Sequence, residues 1–96
     1  MMSRSFPLVH VGILGGGQLA RMMIYESRKL GITFTVLDPD PRAPAGPLAD
    51  TFIRGGLYDR EALGKAAESS DVLTYDIEHI DTDSLARLED EGRLIL

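Results

Sequence analysis

The chain has 96 residues, of which 44% are hydrophobic, a formal net charge of −5 and no cysteine. This length corresponds to one small domain, and the lack of cysteine excludes disulfides, a thiol nucleophile and cysteine-ligated metal ions. The acidic charge argues against a nucleic-acid partner, and the lack of a membrane span or secretory signal predicts a cytoplasmic protein with no membrane partner.

Predicted strands and helices alternate along the chain. Apolar and β-branched runs predict strands at residues 8–14, 33–37, 51–54, 71–75 and 94–96. Helical patterns cover residues 18–30, which Gly31 ends, residues 59–69, which Asp59 caps, and a third stretch from Asp81 or Asp83 to Gly92. Four of the five prolines lie in residues 38–47, which we predict to be a loop. The alternation predicts an α/β fold, a Rossmann-like parallel sheet of four to five strands with helices on both faces.

The helical patterns also predict which faces are buried. Five residues of the first helix fall near one face: Leu19, Met22, Met23, Ser27 and Leu30. In the second helix, three side chains are expected to point inward: Leu63, Ala66 and Ala67. Gly64 weakens that helix by about 1 kcal/mol relative to alanine, so we attribute it to close packing.

Three consecutive glycines between the first strand and the first helix are the most informative motif. Gly15, Gly17 and Ala20 have the G-x-G-x-x-A spacing of phosphate-binding βαβ units. Because the first amides of a helix have no internal partner, residues 15–19 are predicted to bind a phosphate, with the Gln18 side chain as a further donor. The alternative is a tight turn whose glycines only let the helix pack on the strand.

Two other groups follow predicted strands at the same sheet edge. Asp38 lies 21 residues after Gly17, where dinucleotide-binding folds place an acid on the ribose, although aspartate before proline also starts ordinary turns. Residues 75–79 contain a tyrosine, two acids and a histidine, which suit acid–base chemistry or binding of a ligand's amine. The alternative for residues 75–79 is a polar loop that leads into a helix.

The histidines and acids show no metal-ligand spacing, so no metal site is predicted. His10 lies in an apolar strand and is expected to be packed or to lie at the base of that strand. The chain also lacks a G-x-S-x-G motif and a Walker lysine after the glycines.

Three segments in register carry a family resemblance: residues 12–23 (GILGGGQLARMM), 36–45 (VLDPDPRAPA) and 71–79 (DVLTYDIEH). The chain resembles the N-terminal, pre-ATP-grasp domain of the 5-(carboxyamino)imidazole ribonucleotide synthase family. That resemblance implies an ATP-dependent ligase of de novo purine biosynthesis, which carboxylates aminoimidazole ribonucleotide with bicarbonate. Two departures are Ala20, where the family usually has glycine, and Asp76, where it more often has glutamate.

The resemblance also implies a division of labour between domains. Residues 1–96 would be a single, truncated N-terminal βαβ domain, without the lid and central ATP-grasp domains that hold ATP and magnesium. The chain alone would bind neither cofactor and be inactive, and the full-length enzyme would be a homodimer. Together with the motifs above, we predict these substrate-binding residues: Gly15, Gly16, Gly17, Gln18, Leu19, Asp38, Tyr75, Glu78 and His79.

Three alternatives stay open. The sister family, formate-dependent glycinamide ribonucleotide transformylase, has the same architecture, although Gly16, Gln18 and the Thr74–Tyr75 pair favour the synthase. A stand-alone nucleotide- or dinucleotide-binding module would use Asp38 on a ribose. A non-catalytic relic would fold and bind nothing.

Overall fold

A computed structural model describes residues 9–75, 82–92 and 94–95 of the chain. Its elements, in chain order, are β1 (His10–Leu14), α1 (Gln18–Ser27), β2 (Thr33–Asp38), β3 (Thr51–Arg54), α2 (Arg60–Glu68), β4 (Val72–Tyr75), α3 (Thr82–Asp90) and β5 (Leu94–Ile95). Single 3-10 turns follow α1 at Arg28–Leu30 and precede β3 at Gly46–Leu48. The five strands form one parallel sheet in the order β3-β2-β1-β4-β5. This confirms the predicted α/β fold and its element order.

The sheet is covered on both faces. Neighbouring residues of one strand point to opposite sides, so Ile13 joins one buried cluster and Leu14 the other. Ile13 packs with Ala20 and Ile24 of α1, whereas Leu14 packs with residues of α2. Leu88 of α3 also contacts the α2 cluster, so α1 lies on one face and the other two helices on the opposite face.

The buried face of α1 differs from the prediction. Ala20 and Ile24 are fully buried, whereas Leu19 and Met22 are each 59% exposed and Leu30 is 69% exposed. Met23 and Ser27 are half-buried. The predicted face is therefore wrong for Leu19, Met22 and Leu30, because the turn before α1 sets the rotation of the helix and places small Ala20 against the sheet.

The second helix follows its local signals. Asp59 accepts hydrogen bonds from the backbone N–H groups of Glu61 and Ala62, which confirms the predicted cap. The three side chains predicted to point inward are all buried: Leu63, Ala66 and Ala67. The prediction that close packing accounts for Gly64 is wrong, because a Cβ at this position would meet no atom within 4 Å.

The C-terminal elements agree with the prediction where they are described. The last turn of α3 is followed by Gly92, at a φ of +93°, and β5 pairs with β4 from Val72 opposite Leu94. Leu8, Asp81 and Leu96, at the ends of predicted elements, lie outside the described residues. Within the described part of the chain, no helix is long and apolar enough to cross a membrane.

Candidate functional site

The site predicted at the carboxyl edge of the sheet is assembled by the strand register. Leu14, the last residue of β1, lies opposite Leu37 in β2 and opposite Tyr75 in β4. The glycine turn (residues 15–17) therefore begins between the ends of these two strands, beside Asp38 and Tyr75. Tyr75 is 44% exposed at the end of β4. Three predicted residues of the following segment lie outside the described residues: Asp76, Glu78 and His79.

The glycine turn requires glycine at two positions for different reasons. Gly15 has a φ of +104°, which side chains rarely tolerate, and its N–H donates to the Leu37 carbonyl at 2.7 Å. Gly16 lies too close to its neighbours for a side chain, since a Cβ there would be 2.8 Å from Val36 Cγ1 and 3.2 Å from Ala43 Cβ. Both positions of the turn therefore require glycine.

The segment after β2, residues 39–45, is packed against the glycine turn, and we call it the proline segment. The Ala45 N–H donates to the Gly16 carbonyl at 2.9 Å, and Ala43 and Ala45 are both buried. The prolines of this stretch predicted only a loop, and its contact with the turn was not predicted. The available signal was the pair of small residues between prolines, which allows close packing.

Asp38 joins the two segments. Its Oδ2 accepts the Gly16 N–H at 2.8 Å, and its Oδ1 accepts the Asp40 N–H at 2.8 Å. The side chain is half-buried at the end of β2. The carboxylate thus lies at the predicted position, with both oxygens bonded to backbone donors.

The backbone amides that remain available for a ligand lie at the start of α1. Gly17 is the N-cap and offers no side-chain acceptor, and the first turn of α1 contains no acidic residue. Among the described residues, the N–H groups of Gly17, Gln18 and Leu19 have no protein acceptor. Unpaired amides and the positive end of the helix dipole favour an anion at this position. We refer to Gly17, Gln18 and Leu19 as the first-turn amides.

Ala20 explains the last position of the glycine motif. It is fully buried and packs with Ile13 and Val36 in the α1 cluster. A small residue here lets the start of α1 approach the sheet closely, which is the packing role of the third position in this motif.

His10 lies at the opposite, amino edge of the sheet, as predicted for a packed residue at the base of a strand. Its Nδ1 and Nε2 are each 2.6 Å from a threonine hydroxyl, of Thr33 and Thr35 respectively. A groove between Arg28 and Leu48 also opens at this edge. In the part of the chain that the structure describes, no three histidine or acidic side chains come together as a metal site.

Comparisons with known proteins agree on one family. Residues 8–95 match the family model described as the ribonucleotide synthetase preATP-grasp domain. The N5-carboxyaminoimidazole ribonucleotide synthase of Bacillus subtilis is 43% identical over 89 residues, which are 93% of this chain and 23% of that protein.

Solved structures show the same relationship. The N5-carboxyaminoimidazole ribonucleotide synthetase of Thermotoga maritima has a TM-score of 0.88 and 48% identity, over 92% of this chain and 24% of that one. The synthase of Aspergillus clavatus, solved with ADP and 5-aminoimidazole ribonucleotide, has a TM-score of 0.81 and 39% identity, over 92% of this chain and 23% of that one. The chain spans about a quarter of the length of these relatives. By sequence and fold together, the chain belongs to the ribonucleotide synthetase preATP-grasp domain family.

Proposed function

We propose that this chain is the substrate-phosphate-binding domain of an ATP-dependent ligase that carboxylates 5-aminoimidazole ribonucleotide with bicarbonate. The observation that carries the proposal is the set of unpaired first-turn amides at the carboxyl edge of the sheet. The family membership supports the choice of ligand, because a relative of the same fold was solved with 5-aminoimidazole ribonucleotide.

In this proposal the 5′-phosphate of the ribonucleotide lies at the N-terminus of α1. Gly17, Gln18 and Leu19 donate their backbone N–H groups to its oxygens, and the exposed Gln18 side chain can add another donor. N–H donors to a charged oxygen form bonds roughly twice as strong as neutral ones. The glycine motif brings the backbone close enough to the phosphate for these bonds to form.

The rest of the substrate would extend from the phosphate toward the end of β4. Tyr75 is at that end, on the strand next to β1, and its side chain is part of the exposed edge. Glu78 and His79 follow three and four residues later in the chain. We assign them to the ribose or aminoimidazole part of the substrate, where a carboxylate can accept a hydrogen bond from a hydroxyl or amine.

The proposal places ATP, magnesium and the reaction with bicarbonate outside this chain. The chain corresponds to about a quarter of its relatives, and the glycine turn lacks the lysine that follows the glycines of a P-loop. The lid and central ATP-grasp domains would hold the nucleotide and metal. This domain would contribute substrate affinity and orientation.

The test is a titration of the isotope-labelled chain, followed through its amide resonances. Inorganic phosphate and 5-aminoimidazole ribonucleotide should each shift the resonances of the first-turn amides in a saturable way. Gly17→Val should abolish the shifts, because a β-branched side chain blocks close backbone approach. Gly64→Ala, in α2 on the opposite face of the sheet, is the matched glycine control and should bind like the parent. A parent whose first-turn amides do not respond to either ligand would contradict the proposal.

A further inference from the structure

We infer that Asp38 is a positioning residue that holds the phosphate-binding turn, and that it does not bind a ribose. This inference rests on the proposed function, because it assigns Asp38 a role in shaping the first-turn amide site. The residue has the place and spacing of the acid that binds ribose hydroxyls in dinucleotide-binding folds, 21 residues after Gly17 at the end of β2. Its hydrogen bonds in this chain differ from that role.

The carboxylate is bonded to the protein backbone through both oxygens. Oδ2 accepts from Gly16 and Oδ1 accepts from Asp40, each at 2.8 Å. Both are hydrogen bonds to an anionic acceptor, which are stronger than bonds between neutral groups. One side chain thereby fixes the middle of the glycine turn and the start of the proline segment relative to each other.

The packing around Gly16 explains why this bond matters for the phosphate site. The Gly16 N–H points to Asp38 while the carbonyl of the same residue accepts from Ala45, at 2.9 Å. The peptide groups on both sides of Gly16 are therefore held in one orientation. Because Gly17 comes next and is the N-cap of α1, the orientation of Gly16 sets the direction in which the first-turn amides point.

The same packing argues against binding of a dinucleotide at this edge of the sheet. The proline segment lies against the glycine turn beside Asp38, with Ala43 and Ala45 buried there. A dinucleotide would need a ribose hydroxyl at the Asp38 carboxylate, where Gly16 and Asp40 already donate. The chain is thus suited to the phosphate of a mononucleotide, because a ribose at β2 would have to share the Asp38 carboxylate with the two backbone donors that hold the turn.

The matched pair of variants for the test is Asp38→Asn and Asp40→Asn. Asparagine at position 38 can accept only one of the two backbone donors, since its NH₂ group faces the other. Asp40 is the matched residue in the same segment, because its Oδ1 accepts a hydrogen bond from the Arg42 N–H. Among the described residues, its side chain makes no hydrogen bond to the glycine turn. The quantities to measure in both variants are the affinity for inorganic phosphate and the rate of amide hydrogen exchange at Gly16. Thermal unfolding checks that each variant is folded.

Asp38→Asn is expected to weaken phosphate binding about tenfold and to speed exchange at Gly16, because a charge-assisted bond is lost. Asp40→Asn should bind phosphate like the parent. Equal phosphate affinity in the two variants, with unchanged exchange at Gly16, overturns the inference.

Two measurements on the unmodified chain decide the matter even when Asp38→Asn does not fold. A scalar coupling through the hydrogen bond between the Gly16 nitrogen and the Asp38 carboxyl carbon is expected, and its absence overturns the inference. NAD should leave the resonances of Asp38 and the proline segment in place, whereas saturable shifts there would show a ribose contact and also overturn it. A chain that shows the coupling but binds no phosphate refutes the proposed function and leaves the Asp38–Gly16 geometry supported.

Discussion

Replacing Gly16 with alanine tests whether the glycine turn needs its close contact with β2. The added Cβ would lie 2.8 Å from Val36 Cγ1, whereas carbon atoms at optimal separation are about 3.5–4.0 Å apart. Val36 is fully buried and β-branched, so its side chain has little freedom to move away. Ala43 Cβ, at 3.2 Å, would be a second close neighbour of the added atom. Overpacking of this kind costs about 1–3 kcal/mol, a substantial part of the roughly 5–15 kcal/mol that stabilises a typical domain.

The assay is urea unfolding monitored by circular dichroism. The difference in the free energy of unfolding is obtained from the shift of the midpoint urea concentration, provided that the dependence of the free energy on urea concentration is the same in both proteins. Gly64→Ala is the control, because a Cβ there would meet no atom within 4 Å. In the interior of α2 that change should stabilise the protein by about 0.5–1 kcal/mol. A Gly16→Ala protein as stable as the parent would refute the packing argument. A destabilised Gly64→Ala protein would show that the control glycine has a role that its surroundings do not explain.

Four further outcomes are expected. Asp59→Ala should lower the free energy of unfolding by about 1 kcal/mol, through loss of the α2 cap, and an unchanged unfolding midpoint would contradict this. Leu63→Ala should lower the free energy of unfolding by about 2–5 kcal/mol, and Leu19→Ala by no more than about 0.5 kcal/mol, because Leu63 is buried and Leu19 is exposed. Similar losses in the two variants would contradict the orientation of α1. The pure chain should release no phosphate from ATP with magnesium, bicarbonate and 5-aminoimidazole ribonucleotide present, and turnover would refute the division between domains. In the proposed full-length ligase, Glu78→Gln should lower kcat/KM roughly tenfold to hundredfold and Asp76→Asn should lower it less. Steady-state kinetics with varied ribonucleotide would measure both, and the reverse order would contradict the placement of the substrate beside residues 75–79.

The features that depend on neighbours in the sequence were predictable from it. Asp59 caps α2 through amides two and three residues ahead, so the chain around it contains the whole signal. The glycine turn, the alternation of strands with helices and the carboxyl edge that gathers Asp38 and Tyr75 follow in the same way from local patterns and the right-handed βαβ rule. The unpaired first-turn amides of α1 belong to this group, because the first N–H groups of any helix lack a partner within the helix.

Contacts between residues far apart in sequence were decided by the tertiary structure. The glycine turn sets the rotation of α1 about its axis and thereby decides which face of the helix packs on the sheet. Leu19 and Met22 are therefore exposed, although their spacing matched one face of a helix. Asp38 has the sequence position of an acid that binds a ribose, but its long-range partner is the N–H of Gly16, 22 residues earlier. A hydrogen bond of that kind forms only when two strand ends meet, and a pattern read along one segment does not contain the position of the other. The sequence by itself therefore determined the elements and the glycine turn, whereas the packing of β2 and the proline segment against that turn determined what Asp38 is bonded to.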